Sequence, residues 1–268
     1  MDRIARLRLL GAFAALLCGA VGCGGSDSAA NAPALMLAQD ARLGSHLVDG
    51  SGRSLYYFGK DLPVSGSNPA VSNCSGGCAA SWPVFHVSSS LFQGIAAQDV
   101  GEITRTDGSP QTTYRGWPLY YFAGDRNPGD VNGEGIDDVW FVLRDQAYSV
   151  ALMSKSTGVD APGLYLSDGA GRTLYVSPQD TAGTAGSDPV SACTERCLVN
   201  WPLFLSESPV VPSALAASDF TVFTRPDGQR QSAYKGHPLY FFAGDATAGD
   251  TSGKGVGARE TVNPTNLP

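Results

Sequence analysis

Residues 47–56 read LVDGSGRSLY, and residues 166–175 read LSDGAGRTLY. The same shift of 119 residues places CSGGCAASWP, at 74–83, onto CTERCLVNWP, at 193–202. Further along, Thr-Arg-x-Asp-Gly and Tyr-x-Gly-x-Pro-Leu-Tyr also occur twice, with a shift of 120 residues. The chain is therefore a tandem repeat of two units, and positions kept in both copies are those that the shared fold needs.

A shorter repeat lies inside each unit. The pattern Gly-x-x-Leu-Tyr-x-Phe-x-x-Asp occurs at 52–61, 116–125 and 236–245, and a fourth copy at 171–180 has Ser177 in the place of Phe. Each unit thus consists of two related halves of roughly 50–60 residues. The motif residues are Tyr56, Phe58, Asp61, Tyr120, Phe122, Asp125, Tyr175, Asp180, Tyr240, Phe242 and Asp245.

The composition between the turns predicts an all-β fold. Short runs of Leu, Val, Tyr, Phe and Thr alternate with turns rich in Gly and Pro, and helical periodicity is almost absent. Four half-units suit either a four-bladed propeller or two β-sandwich-like lobes. We favour one compact, pseudo-twofold β body with short helical turns stapled by cysteines.

Unit 1 is expected to contain several short strands, and unit 2 to repeat them from Ala151 on. The last strand of unit 2 would fall on Glu260 to Pro264, which has no aromatic residue and includes a proline. We expect this segment to be a poor strand that lies loosely at an edge. The strands predicted for unit 1 are 35–37, 46–49, 53–58, 84–87, 102–105, 111–115, 119–123 and 139–144.

The N-terminus has the layout of an export signal. Three arginines precede an apolar run, 9–21, that is too short to span a bilayer comfortably. The sequence Ala20-Val21-Gly22-Cys23 resembles the lipobox of bacterial lipoproteins, although Leu is usual where Ala20 stands. In such proteins cleavage before the cysteine leaves it free for acylation. The alternative is ordinary secretion in which Cys23 has no role.

These signals divide the chain into four parts: a signal peptide (1–22), a lipid-anchor tether with the first-strand region (23–42), repeat unit 1 (43–150) and repeat unit 2 (151–268). The whole chain has a formal charge of −7, and removal of three Arg and one Asp with residues 1–22 makes it −9. An acidic chain without Lys/Arg clusters argues against nucleic acid and against adsorption to anionic lipids. Membrane contact is expected through the lipid anchor only, at the outer membrane or the cell surface.

The cysteines of each unit are spaced for a local disulfide. A spacing of four places Cys74, Cys78 and Trp82 on one face of a short helix, which Pro83 ends. Cysteines one helical turn apart have a Cα separation that a disulfide allows, and export favours oxidation. We therefore predict two disulfides, Cys74–Cys78 and Cys193–Cys197. A thiol redox centre and a metal site stay open as alternatives.

Two further patterns have a structural and a functional interpretation. The motif tyrosines and aspartates form either an aromatic core with turn-making carboxylates or a groove that binds a ligand. Asp130, Asn132 and Glu134 resemble the start of a calcium loop, but Phe141 stands at its twelfth position, where Glu is required. No other metal and no cofactor is expected.

The lipobox, the Cys-x3-Cys-x3-Trp-Pro sequences and the Tyr-x-Phe-x-x-Asp motifs together resemble the bacterial secreted-repeat lipoproteins that carry a Tyr-x-(Phe/Trp/Tyr)-x-x-Asp motif. The resemblance covers residues 43–255 and implies exported or lipid-anchored proteins of unknown function, without a catalytic residue to transfer. The chain also lacks a nucleophile elbow, His-Glu-x-x-His and a phosphate loop. We expect a non-catalytic envelope protein that binds another envelope protein or a glycan; the alternative is a redox or electron-transfer accessory protein that uses the cysteine pairs.

Overall fold

The computed structural model describes residues 34–88, 91–157 and 161–268. The predicted signal peptide, Cys23 and most of the predicted tether lie outside these residues. Within them the chain forms fourteen short strands and two α-helices, α1 (Gly77–Ser81) and α2 (Arg196–Asn200). The strands are β1 (Leu35–Asp40), β2 (Gly44–Asp49), β3 (Tyr56–Phe58), β4 (Val100–Thr104), β5 (Pro110–Tyr114), β6 (Trp117–Pro118), β7 (Trp140–Val142), β8 (Val150–Lys155), β9 (Gly163–Asp168), β10 (Tyr175–Val176), β11 (Phe220–Thr224), β12 (Arg230–Tyr234), β13 (His237–Pro238) and β14 (Glu260–Thr261).

The same set of strand pairings occurs in both halves of the chain. β1 pairs with β2, β3 with β7, and β4, β5 and β6 form one sheet; β8 pairs with β9, β10 with β14, and β11, β12 and β13 form another sheet. All these pairs are antiparallel. The sheets of the described residues form neither a closed barrel nor a propeller, because each has two or three short strands rather than the four of a blade.

Aspartate side chains shape the turns between strands. Asp49 Oδ1 accepts from the backbone N–H groups of Ser51 and Arg53, and Gly52 supplies a positive φ of 84°. Asp107, Asp168 and Asp227 accept backbone N–H groups in the same way at the other three turns. A carboxylate that mimics a backbone acceptor, together with a nearby glycine, fixes each reversal of the chain.

One apolar core is built from both units. Leu47 and Tyr57 of unit 1 belong to the same buried cluster as Leu152, Phe204 and Val262 of unit 2. All the described residues also belong to one compact unit. Two lobes with separate interiors are therefore not what this chain forms, since burial of shared apolar surface is the main force that holds the two units together.

Two smaller clusters lie beneath the two disulfides. In unit 1 the cluster includes Tyr56, Trp82, Tyr120 and Trp140, which are at most 5% exposed. In unit 2 its members are Tyr175, Cys193, Trp201 and Tyr240, which are at most 4% exposed. Each tryptophan packs below its own disulfide, as the spacing of the cysteines predicted.

Some predicted strands are shorter or absent. Residues 84–87 and 119–123 contribute only isolated bridges, among them Val84 to Tyr120 and Tyr56 to Tyr120. Backbone hydrogen bonds still join the two segments, from Tyr121 N to Pro83 O and from Phe85 N to Leu119 O. Pro83 and Pro118 lack the N–H group that a regular ladder would need. β1 includes the strand predicted at 35–37, extends it to Asp40, and pairs with β2 along its whole length.

The C-terminal segment is more firmly placed than expected. β14 pairs with β10, and Val262 is fully buried in the shared core. The backbone of Val262 donates to Leu174 O and accepts from Leu166 N, both at 2.9 Å. The expectation of a loose edge was wrong, because a single buried Val and two hydrogen bonds anchor a strand that sequence pattern alone does not reveal. Within the described residues no helix is long and apolar enough to cross a membrane.

Candidate functional site

Both predicted disulfides are present. Cys74–Cys78 and Cys193–Cys197 each have a Cα separation of 5.3 Å. The helices start later than predicted, at Gly77 and Arg196, so the first cysteine of each pair lies ahead of its helix. The reason is the preceding residue, Gly76 or Glu195, which has a positive φ of 57° or 39° and turns the chain before the helix can begin.

The motif tyrosines and aspartates form crossed pairs. In unit 1 the Tyr56 hydroxyl donates to Asp125 Oδ2 at 2.7 Å, and the Tyr120 hydroxyl donates to Asp61 Oδ2 at 2.7 Å. The tyrosine of each half-unit thus bonds the aspartate of the other half. Unit 2 repeats the exchange with Tyr175 to Asp245 at 2.7 Å and Tyr240 to Asp180 at 2.8 Å.

The second oxygen of each aspartate holds a loop. Asp61 Oδ1 accepts from the backbone N–H of Asn73 at 2.6 Å, twelve residues further on. The other three carboxylates accept in the same manner from the N–H groups of Asn132, Ala192 and Ser252. Each motif aspartate therefore joins a core tyrosine to the loop that follows its own motif.

Burial raises the pKa of these carboxyl groups, so they are weaker acids than in water. Burial raises the pKa of Asp61 to about 7, against the opposing effects of its hydrogen bonds and of the nearby Arg105. Burial also raises the pKa of Asp125, Asp180 and Asp245. The four motif tyrosines are 0% exposed, and burial raises the pKa of each. The structure places the four tyrosines, Asp61 and Asp125 in the interior, and Asp180 and Asp245 are partly exposed.

An arginine and a glutamine complete each of these networks, and the sequence interpretation gave neither a role. Arg105 Nη2 donates to Cys74 O at 2.6 Å, and Arg105 Nη1 donates to Gln111 Oε1 at 2.8 Å. In unit 2 Arg225 makes the same bonds to Cys193 O and to Gln231 Oε1. The repeated Thr-Arg-x-Asp-Gly sequence could have indicated this role, because an arginine that occurs in both copies is expected to contribute to the shared fold.

The two units differ where the aromatic residue of the motif is lost. In unit 1 Phe58, Trp140 and Trp82 stack in one column, with ring centroids 4.0 and 3.8 Å apart. In unit 2 the first position of the column is Ser177, and Arg259 takes the place of Trp140, with its guanidinium carbon 4.4 Å from the Trp201 centroid. Phe122 and Phe242 pack against the far side of Trp82 and Trp201.

The residues of the suggested calcium loop do not converge. Asp130 Oδ2 accepts the backbone N–H groups of Arg126 and Asn127, and Glu134 Oε2 accepts from Val142 N at 2.6 Å. The backbone N–H of Asn132 points to Asp125. In the part of the chain that the structure describes, no group of three or more His, Cys, Asp or Glu side chains could hold a metal ion.

One buried Ser–His contact is also not arranged for catalysis. His46 Nε2 lies 3.1 Å from Ser54 Oγ, and both residues are about 1% exposed. The Ser54 hydroxyl donates to Asp130 O at 2.7 Å, so the imidazole must donate to the serine. A histidine that donates cannot act as the base that a nucleophilic serine requires.

A groove of about 410 Å³ lies where loops of the two units meet, and we call it the junction groove. It joins the loop after Asp61 to the loop after Asp245. Lys60 and Lys155 bring positive charge to it, and the Nζ of Lys155 lies 3.3 Å from Gly249 O. Its other lining residues are Leu62, Asn73, Met153, Ser154, Ser156, Thr157, Tyr165, Thr247, Ala248, Gly249 and Asp250.

The repeats match a known family. A family model described as a secreted repeat of unknown function matches residues 38–86, 101–144 and 221–262, half of the 268-residue chain. The chain belongs to this family. The matched segments of this secreted-repeat protein contain three motif copies, and the copy with Ser177 lies outside them. No curated protein and no solved structure matches the chain.

Membership confirms the resemblance that the motifs indicated, and it identifies the secreted-repeat protein as one of an exported family. The family brings no activity with it. The motif residues of this secreted-repeat protein, which are the parts common to its repeats, are used for internal hydrogen bonds. Any specific role must therefore come from residues that differ between its repeats.

Proposed function

We propose that this protein is a lipid-anchored, non-catalytic binding protein of the bacterial cell envelope. Its anchor is an acylated Cys23, and its Gly- and Ser-rich tether separates the folded body from the membrane surface. Its β body presents a ligand site, and this binding role involves no chemical step on the ligand. The junction groove is the place where we put that site.

The observation that carries the proposal is the contrast between repeated and unrepeated residues. The crossed tyrosines, the aspartates and the arginines recur, and they make hydrogen bonds within the fold. Lys60 and Lys155 line a groove, and Gln179 and Asp40 stand at the corresponding places of the other unit. Two units that share an interior and differ at a concave surface are suited to present one specific site.

The chemistry of the junction groove favours an acidic glycan. Lys60 and Lys155 offer ammonium groups, and Asn73 and Thr157 add polar side chains. The one carboxylate of the groove, Asp250, already accepts the N–H groups of Ala246 and Thr247. The partly exposed Leu62, which lies in the groove with the buried Met153 and Tyr165, provides an apolar floor for sugar rings. Ammonium groups beside such a floor bind carboxylate- or phosphate-bearing sugars better than neutral ones.

The test is binding of the intact protein to purified envelope polysaccharides with and without acidic groups. We expect the acidic fraction to bind and the double variant Lys60→Ala, Lys155→Ala to lose at least tenfold in affinity. Arg126→Ala removes a charge from an exposed residue outside the junction groove and should leave binding unchanged. Equal binding by both variants, or a preference for neutral glycans, would contradict the proposal.

A further inference from the structure

We propose that the Cys193–Cys197 disulfide is a thiol–disulfide exchange centre and that the Cys74–Cys78 disulfide is structural. The substrate class is a thiol. The decisive residue is Arg259, whose side chain approaches one of the two sulfur atoms. This activity is independent of the glycan site, which lies at the junction groove.

Arg259 is placed to stabilise negative charge on Cys197. Its Nη2 lies 3.1 Å from Cys197 Sγ, and its guanidinium stacks on Trp201. The residue is 7% exposed, and its buried Nε has no hydrogen-bond partner among the described residues. A cation beside a sulfur atom favours the thiolate over the thiol, and low solvent exposure strengthens the effect.

No acidic side chain forms a salt bridge with this arginine in the described residues. The carboxylate whose charge acts on Arg259 is Asp180, and its two oxygens accept hydrogen bonds from Ala192 N and from the Tyr240 hydroxyl rather than from Arg259. Glu195 and Arg196, which flank the helix start beside Cys197, are exposed and opposite in charge. Arg259 is thus the charged side chain that contacts the Cys197 sulfur directly.

In unit 1 the corresponding sulfur, that of Cys78, lies in a groove where negative side chains outnumber positive ones. Trp140 occupies the place of Arg259, and its ring stacks on Trp82. Cys78 instead shares an open groove with the carboxylates of Asp137 and Asp138, and with Lys60. The loop of unit 2 has Gly257 and Ala258 in place of these acids. A thiolate is therefore favoured at Cys197 and disfavoured at Cys78.

Accessibility decides which sulfur is attacked. Cys193 is 1% exposed, whereas Cys197 is partly exposed. A thiolate attacks Cys197 Sγ, forms a mixed disulfide and breaks the Cys193–Cys197 bond, and the electron pair stays on Cys193, which takes a proton from water. A second thiolate attacks the substrate sulfur of the mixed disulfide, forms the oxidised product and expels Cys197 as a thiolate. Arg259 stabilises that leaving group.

The first test compares the two disulfides in the same intact protein. Equilibration with glutathione buffers, followed by differential alkylation and peptide mapping, reports the reduced fraction of each pair. We expect the equilibrium constant for reduction of Cys193–Cys197 to exceed that of Cys74–Cys78 by about tenfold, or about 30 mV. Equal constants, or a more easily reduced Cys74–Cys78, would overturn the proposal.

The second test changes the arginine. Arg259→Gln should lower the reduction constant of Cys193–Cys197 about tenfold and raise the pH at which reduced Cys197 reacts with iodoacetamide, whereas Arg259→Lys should keep most of both properties. The constant of Cys74–Cys78 is the internal control and should not change. Circular dichroism checks that each variant is folded. A folded Arg259→Gln protein with an unchanged constant and an unchanged alkylation profile would show that Arg259 has no such role.

Discussion

The hydroxyl groups of Tyr56 and Tyr57, neighbours on β3, are both buried, but they differ in their partners. Tyr56 donates to Asp125, whereas the Tyr57 oxygen makes no hydrogen bond of normal geometry. We predict that Tyr56→Phe lowers the free energy of unfolding by about 1–3 kcal/mol, because it removes the hydroxyl that donates to Oδ2 of a buried carboxylate. Tyr57→Phe should change it by less than about 1 kcal/mol. Urea unfolding of both variants checks the contrast, which similar losses would contradict.

The carboxyl group of Asp61 makes stability depend on pH. Its pKa is raised to about 7 in the folded protein, against about 4 in an unfolded chain. The folded state therefore binds this proton more tightly, and the stabilisation is complete below about pH 4 and is lost as pH rises through about 7. We predict that the free energy of unfolding falls over this interval and that Asp61→Asn makes the fall smaller.

Urea unfolding at several pH values measures this dependence. The control is Asp107→Asn, because Asp107 is exposed and hydrogen bonds from Ser109 lower its pKa instead. This variant should retain the full fall between about pH 4 and 7. An Asp61→Asn protein with the same pH profile as the wild type would show that Asp61 does not cause it.

At this scale the sequence predicted the residue types but not their partners. Of the two interpretations of the motif, the structure places Tyr56 in an aromatic core, and Asp61 accepts a backbone N–H as a turn-making carboxylate does. The donor is Asn73, however, rather than the next turn, and the second partner is Tyr120 of the other half-unit. Pairings between distant segments depend on tertiary packing, which local pattern does not contain.

Among the structural elements, the start of α2 has an unfavourable backbone. Glu195 has φ 39° and ψ −103°, where unit 1 has Gly76 with φ 57° and ψ −124°. Side chains other than glycine are strained in this region. We predict that Glu195→Gly raises the free energy of unfolding by about 1 kcal/mol and that Gly76→Ala lowers it by a similar amount. Thermal unfolding of both variants tests this. The prediction is contradicted unless Glu195→Gly raises the melting temperature and Gly76→Ala lowers it.

Hairpins were the elements that the sequence predicted best. The β4–β5 hairpin lies within two residues of its predicted position, because its Asp-Gly turn and alternating strands are local signals. The β14 strand was underestimated, since only its pairing with β10 and the burial of Val262 stabilise it. The helices start late because Gly76 and Glu195 have positive φ angles. The spacing of the cysteines does not predict these angles.

For the whole molecule, the shared core makes the two units interdependent. Separate chains of residues 34–150 and 151–268 would each expose part of one apolar cluster. We predict that neither fragment alone shows a cooperative unfolding transition, and that mixing them restores one. As a control, full-length protein cut between residues 157 and 161 after folding should remain folded. A fragment that unfolds cooperatively by itself would contradict the shared-core interpretation.

Anchoring is also a property of the whole molecule. We predict that the mature chain begins at an acylated Cys23, so intact mass of membrane-extracted protein should show this start with added acyl mass. Cys23→Ala should release the protein from the membrane fraction, whereas Cys18→Ala, within the signal peptide, should not. A wild-type chain that starts elsewhere without acyl mass would disprove lipidation.

The sequence predicted an all-β repeat protein but not how its repeats combine. Asp-Gly turns, strand-like runs and the spacing of the cysteines are local patterns, so the sequence alone predicts them. The choice among propeller, lobes and one shared body depends on which apolar faces meet, and the alternating pattern is the same in each case. The junction groove was equally hidden, because Lys60 and Lys155 meet only through contact between units.

The crossed tyrosine–aspartate pairs also restrict how such a chain can change its length during evolution. Each half-unit carries one member of two different pairs. A half gained or lost by itself would bury a carboxylate and a phenol without partners, at a cost of a few kcal/mol. Genes of this kind should therefore expand and contract by whole units, so that the number of halves stays even.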